Sequence, residues 1–238
     1  NIFSFYLLTT IGLILSLLAT NRVALTRGTR SFLTLYLVPL VLLLVINQTR
    51  SAWAGCLILF LVYGTIQDKR VLVLTLALPV VALAVPGVRE RLMALASGNQ
   101  YVGWAENVNA YAWRKILWQK SLPLILRQPL WGHGLYSFPY YSPTFFPLET
   151  TRGVDAHNVY IQLLFETGIA GLAAYLWIFW RKFRSLLRYW QTDKRGLTMV
   201  ATMMSVYLVT CYSDNLLEYV SYDWFYWFTF GLIFADLS

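Results

Sequence analysis

Asp155-Ala156-His157-Asn158-Val159-Tyr160-Ile161-Gln162-Leu163-Leu164-Phe165-Glu166-Thr167-Gly168-Ile169-Ala170-Gly171 is the stretch on which the reading of this chain turns. A polar tetrapeptide stands at the mouth of an apolar run that continues to Trp180. Such a run is predicted to be a membrane helix with Asp155 as its N-cap. His157 then falls in the first turn, where unpaired N–H groups and the positive end of the helix dipole point outward. That position attracts phosphate and favours the neutral imidazole, which can accept a proton. Gly168 and Gly171, three apart, are predicted to let another helix approach closely.

The composition agrees with a membrane setting. Of 238 residues, 58% are hydrophobic and only 13% charged, about half the share usual in soluble proteins. Seven apolar segments are marked at 3–19, 31–48, 52–67, 71–87, 157–180, 197–213 and 221–237. Lacking internal charge in almost every case, they are predicted to be helices, the fold class being all-α and polytopic integral membrane. The chain divides on this reading into four transmembrane helices (1–87), one large loop region (88–156) and three further transmembrane helices (157–238). It opens inside an apolar run at Asn1-Ile2-Phe3, and the expectation is a C-terminal piece of a longer polytopic protein.

Charge sets the orientation. Arg22, Arg27, Arg30, Lys69, Arg70, Arg181, Lys182, Arg184, Arg188, Lys194 and Arg195 fall in turns and helix ends on one face, against Asp68 and Asp193. The positive-inside rule makes that face cytoplasmic, and the net charge of +8 then reports topology, not nucleic-acid binding. Arg50, residues 88–156, His157 and the 214–223 turn are placed on the outer side.

The loop region holds twelve aromatics between residues 101 and 146, Trp104, Trp113, Trp118 and Trp131 among them. Ala112 to Leu126 is predicted to be an amphipathic helix lying on the membrane, and Tyr136 to Phe146 an irregular aromatic lid. Cys56 and Cys211 read as small buried hydrophobes, and His133 and His157 have no third ligand in sight, so no metal site is expected.

Several polar residues invite a chemical reading. Arg50, in Asn47-Gln48-Thr49-Arg50-Ser51-Ala52-Trp53, is an anion clamp or a snorkelling interfacial arginine. Arg114, in Tyr111-Ala112-Trp113-Arg114, is a phosphate contact or part of a solvated helix face. Lys120 and Arg127 serve equally well as phosphate contacts. Asp214, Asn215 and Glu218, in an aromatic turn, orient His157, bind a hydroxyl or cap the turn.

Taken in order, these residues resemble a known pattern. His157-Asn158, nine residues, then Gly168-Ile169-Ala170-Gly171 is similar to the His-[Asn/Ser/Gln]-x9-Gly-x-x-Gly signature of the O-antigen ligase family, which shares a domain with O-antigen polymerases and bacterial protein O-oligosaccharyltransferases. Arg50-Ser51-Ala52-Trp53 resembles that family's Ser-Arg-Gly-Ala-Trp, with Thr49 and Ser51 replacing Ser and Gly. Arg114 with Trp118, then Pro129-x-x-Gly132-x-Gly134-x3-Phe138, resembles its Arg-x3-Trp and Pro-x-x-Gly-x-Gly-x3-Phe stretches. Asp214, Asn215 and Glu218 fall where the family often carries an acidic group.

The resemblance implies a GT-C-type glycosyltransferase in the bacterial inner membrane, its active site facing the periplasm. It implies transfer of a glycan from an undecaprenyl-diphosphate carrier to a hydroxyl of lipid A–core or another glycan, without metal or other cofactor and with inversion at the anomeric carbon. His157, Arg50 and Arg114 are the catalytic candidates. Asn158, Trp118, Arg127, Asp214, Asn215 and Glu218 are substrate-binding candidates. A polymerase of the same superfamily and a solute transporter on the same fold are the alternatives; a transporter wants polar groups at the bilayer midplane, where only Glu166 is strongly charged.

Overall fold

The computed structural model describes residues 2–82 and 110–235. Among them the regular elements are all helical. They are α1 (Ile2–Ala19), α2 (Arg27–Ile46), α3 (Arg50–Ile66), α4 (Lys69–Ala82), α5 (Ala110–Arg127), α6 (Ser137–Phe145), α7 (Val159–Tyr189), α8 (Lys194–Thr210) and α9 (Val220–Ala235), with a 3-10 turn at Leu216–Glu218. Helices α1, α2 and α7 are long and apolar enough to cross a membrane, with mean hydropathies of 2.2, 2.0 and 1.5. The other predicted segments appear as α3, α4, α8 and α9, with 17, 14, 17 and 16 residues, at or below the roughly 17-residue lower limit for a span. The end of segment 71–87, and Trp104 with the rest of 88–109, lie outside the described residues.

The chain forms two compact units, Asn1–Ala77 with Phe179–Ser238, and Leu78–Ile178. The helices before and after the loop region form one unit, and the first part of α7 goes with the loop region in the other.

In the first unit α1 is the centre, packed against α2, α3, α8 and α9. Its buried residues include Phe5, Leu8, Ile11, Leu15 and Leu18, and half-buried Leu13 and Leu17 continue the apolar surface around the helix. A helix apolar all round is stable only when enclosed by protein or lipid. Glycines bring its neighbours close: a Cβ on Gly12 would strike the Met203 side chain, and one on Gly55 would strike Val206 and Leu8. By contrast α2 buries only the stripe Leu37, Leu40 and Leu44 and exposes Phe32, Leu35, Val38, Leu42 and Ile46. A water-facing helix would place polar residues there; these belong against hydrocarbon.

The basic turns gather at one end of this unit. Arg22 Nη2 donates to Thr192 Oγ1 at 2.5 Å, and Arg195 Nη1 to Gln67 Oε1 at 3.3 Å. Arg30 Nη1 reaches the Leu18 carbonyl at 3.3 Å, and the Thr20 hydroxyl donates to the Asp193 carboxylate. Charge alone had placed these turns on one face. Asp193, buried, also caps α8 by accepting from the Gly196 N–H at 3.1 Å. Replacing Asp193 with Ala removes the cap and strands the Thr20 hydroxyl. A loss of about 1–2 kcal/mol is expected, read as a lower unfolding midpoint that Asp193→Asn largely restores.

In the second unit the aromatic segment is a core. Ile116, Leu117 and Ile125 of α5 pack with Phe138, Phe146, Ala156 and Phe165. Residues 136–146, expected to be an irregular lid, contain the nine-residue helix α6, with Phe138 and Phe146 almost wholly inaccessible. Pro139 sits in its first turn, where its missing N–H costs nothing. Pro143 cannot bond back to the Pro139 carbonyl, and the Ser142 hydroxyl donates to it instead at 3.1 Å. The helix expected over 112–126 is present as α5, but it buries Leu117 and Ser121 completely and so is an integral part of this core.

Candidate functional site

The N-terminus of α7 differs from the sequence reading. The cap is Asn158, whose Oδ1 accepts from the N–H groups of Tyr160 and Ile161 at 2.9 and 3.0 Å. Asp155 lies three residues upstream of that cap. His157 stands just before the helix, with a left-handed backbone at φ 48°, a conformation that few non-glycine residues adopt. Asn158 on one flank is held by its cap bonds, and Ala156 on the other by two more. The Ala156 N–H donates to Gln162 Oε1 at 2.9 Å, and the Ala156 carbonyl accepts from Trp118 Nε1 at 2.7 Å. The His157 ring meets the edge of Trp113 at 5.6 Å between centroids.

Gln162 is itself fixed. Its Nε2 donates to Glu166 Oε1 at 2.6 Å, which also accepts the Phe138 N–H at 3.3 Å. A run of buried polar groups thus links the start of α6, through Glu166 and Gln162, to the residue before His157. Glu166, read from the sequence as a lone midmembrane charge, is a partnered buried group of this run. Sequence reasoning missed this role; the signal available was the i, i+4 spacing of Gln162 and Glu166.

Ten residues beyond the cap, α7 breaks. Gly168 has φ 66° and ψ −166°, a region open essentially to glycine alone. The backbone groups released by the break pair with the 129–134 loop. Phe165 and Glu166 carbonyls accept from the N–H groups of His133 and Gly134 at 2.8 and 2.9 Å. The N–H groups of Ile169 and Ala170 donate to the carbonyls of Pro129 and Leu130 at 2.8 and 3.2 Å. A Cβ on Gly132 would lie 2.5 Å from the Glu166 carbonyl carbon, and one on Gly168 would strike the Leu130 carbonyl. Gly168 therefore admits a loop, not a second helix. His133 Nε2 donates to the Leu124 carbonyl at 2.8 Å, with its ring 4.8 Å from Phe165. It anchors the loop to α5.

Arg114 is half-buried on α5, one turn before Trp118 and next to Trp113. The structure therefore brings His157, Asn158, Trp118 and the Arg114 turn into one neighbourhood. Exposed Arg127 is in the last turn of α5, about 20 Å along the axis from Arg114 at 1.5 Å per residue. Lys120, also exposed, lies between them.

The other candidates lie in the first unit. Exposed Arg50 is the first residue of α3, after Gln48 at φ 56° and the buried Thr49. Ser4 Oγ donates to Thr49 Oγ1 at 2.8 Å. The next residue, Ser51, donates through Oγ to Asp214 Oδ2 at 3.4 Å, and Tyr219 OH to Asp214 Oδ1 at 3.5 Å. Asn215 Nδ2 donates to Glu218 Oε1 at 2.5 Å. The Oδ1 of Asn215 is buried without a hydrogen-bond partner among the described residues. Arg50 and the Asp214–Glu218 turn thus share one end of this unit, away from the basic turns. Ser51 and Tyr219 as partners of Asp214 had no signal in the sequence beyond their neighbours.

Among the described residues no three His, Cys, Asp or Glu side chains come together as a metal centre would require. Comparison with protein families finds a match over residues 35–176 to the model described as O-antigen ligase. The matched segment includes Arg50, Arg114, Trp118, Arg127, His157 and Asn158; Asp214, Asn215 and Glu218 lie beyond it. No curated protein matches the chain.

Proposed function

The chain belongs to the O-antigen ligase family, and from that premise we propose that it transfers a glycan from an undecaprenyl-diphosphate carrier to an acceptor hydroxyl, that of lipid A–core, on the periplasmic side of the bacterial inner membrane. The family and the apolar helices make it a membrane protein of glycan transfer. The carrier, acceptor, sidedness, seven spans, GT-C fold and inverting course are parts of the proposal. The observation that carries it is His157, a basic side chain in a left-handed turn between Ala156 and Asn158, both of them hydrogen-bonded.

The chemistry asked of these residues is modest. The acceptor oxygen attacks the anomeric carbon as the bond from that carbon to the diphosphate breaks, and the carrier departs as its diphosphate. The hydroxyl proton goes to the His157 imidazole. Inversion follows from attack opposite the leaving group. Arg50 and Arg114 are each assigned phosphate charge on the strength of their guanidinium chemistry. Trp118, Asn158 and the Asp214–Glu218 turn are assigned to orienting groups and binding substrate, and Arg127 to an outlying contact. Exchanging Arg50 and Arg114 together for Gln is expected to lower the transfer rate by about a hundredfold. Unchanged turnover in a purified-donor assay sinks the phosphate assignment.

The function itself is tested by the glycan ladder of cells deprived of this protein, with and without the wild-type chain restored. Bare lipid A–core, with long polymer accumulating on the carrier, is the expected result. Single repeats still attached, with long chains missing, would mean polymerisation. A ladder indifferent to the protein removes glycan transfer from consideration.

A further inference from the structure

The last turns of α7 carry Arg181, Arg184, Ser185 and Arg188, which line a groove of about 320 Å³ in the first unit. The spacing i, i+3, i+7 puts the three arginines on one helix face. All three are exposed, and among the described residues none makes an ion pair. Like charges on one face repel, so this face favours a counter-ion with several acceptor oxygens. The guanidinium fork suits phosphate oxygens, and Ser185 offers a hydroxyl donor. The groove volume falls at the low end for small-molecule sites.

The surroundings say where that phosphate comes from. The apolar run of α7 ends at Trp180, half-exposed, and the Arg184 guanidinium lies 5.1 Å from its ring centroid. Leu187, on the same turns, is 67% exposed. A tryptophan followed by arginines at the end of a candidate span is the pattern of the headgroup layer. The groove is on the end of the unit that holds the basic turns. We propose that it binds the phosphate of an anionic phospholipid, as a lipid site separate from the residues assigned to glycan transfer.

The test uses the full chain, purified in a neutral detergent, with phosphatidylglycerol, cardiolipin or phosphatidylcholine added in mixed micelles and inorganic phosphate added alone. The expected result is a raised unfolding midpoint with the two anionic lipids, weakened by salt, and none with phosphatidylcholine. The triple variant R181Q/R184Q/R188Q is expected to bind the anionic lipids on the order of a hundredfold more weakly, from about 1 kcal/mol per basic residue. Its unfolding midpoint without lipid is expected to match the wild type, since all three side chains are exposed. The triple lysine variant, keeping charge, is expected to retain most of the affinity. Equal affinity in the glutamine variant, or an equal shift with phosphatidylcholine, overturns the proposal. An equal shift with millimolar inorganic phosphate overturns the lipid assignment and leaves a free-phosphate site.

Discussion

Replacing His157 with Asn is expected to reduce glycan transfer by roughly 10² to 10⁴-fold, the range for loss of a general base, with little change in folding. Asn is the informative exchange because His157 sits at φ 48°. Asparagine tolerates the left-handed region several-fold better than other side chains. Alanine there adds about 1–2 kcal/mol of backbone strain and would confuse an unsettled turn with a missing base. Asparagine keeps a polar group beside Trp113 but cannot accept the proton at pH 7. The rate should be measured in single turnover with carrier-linked donor and purified full chain, so that product release does not hide the chemical step. Donor affinity is expected to be nearly unchanged. Transfer by His157→Asn at the wild-type rate would falsify the assignment of the base.

Gly168→Ala is expected to cost about 4 kcal/mol of stability and to release the 129–134 loop. Strain in a region open only to glycine contributes about 1–3 kcal/mol, and the added Cβ strikes the Leu130 carbonyl. If the loop withdraws, the four backbone hydrogen bonds at the break go with it, each about 0.5–1.5 kcal/mol. Gly231→Ala is the control. Gly231 lies exposed within α9, and a Cβ there would meet nothing within 4 Å. Alanine is the better helix former, so a gain of up to about 1 kcal/mol is expected. Thermal unfolding in detergent gives the two stabilities, and limited proteolysis within residues 128–136 reports the loop. A comparable loss at Gly231 would mean that the cost at Gly168 is a general one for helix glycines and does not come from the loop.

That contrast shows where the sequence was readable. Length and hydropathy located α1, α2 and α7 because burial of an apolar helix in lipid depends on composition more than on neighbours. The grouping of Arg22, Arg30 and Arg195 at one end followed from charge for the same reason. The break at Gly168 was not readable. A glycine in an apolar run looks the same whether a helix or a loop approaches it, and the loop that does so begins 39 residues earlier, at Pro129. Asp155 and Asn158 are both good caps, and only the tertiary bonds of Ala156 decide between them. Residues 136–146 looked irregular from their two prolines and many rings. The repair of Pro143 by Ser142 turns that same composition into a helix. Of the candidate site, His157, Asn158 and Trp118 were nameable from spacing, whereas Gln162 and Glu166 acquire their structural roles only through the bonds that Phe138 and Ala156 supply.

The pairing of the 129–134 loop with α7 is made wholly from backbone atoms, while Leu130, Trp131, Leu135 and Tyr136 are 61%, 78%, 81% and 76% exposed. Attachment and display are therefore written in different parts of each residue. Leu130, Trp131 and Leu135 can be exchanged without touching the joint that carries them, provided Gly132, Gly134 and Gly168 stay. This makes the segment a natural graft point, where a new surface is set on an old mounting.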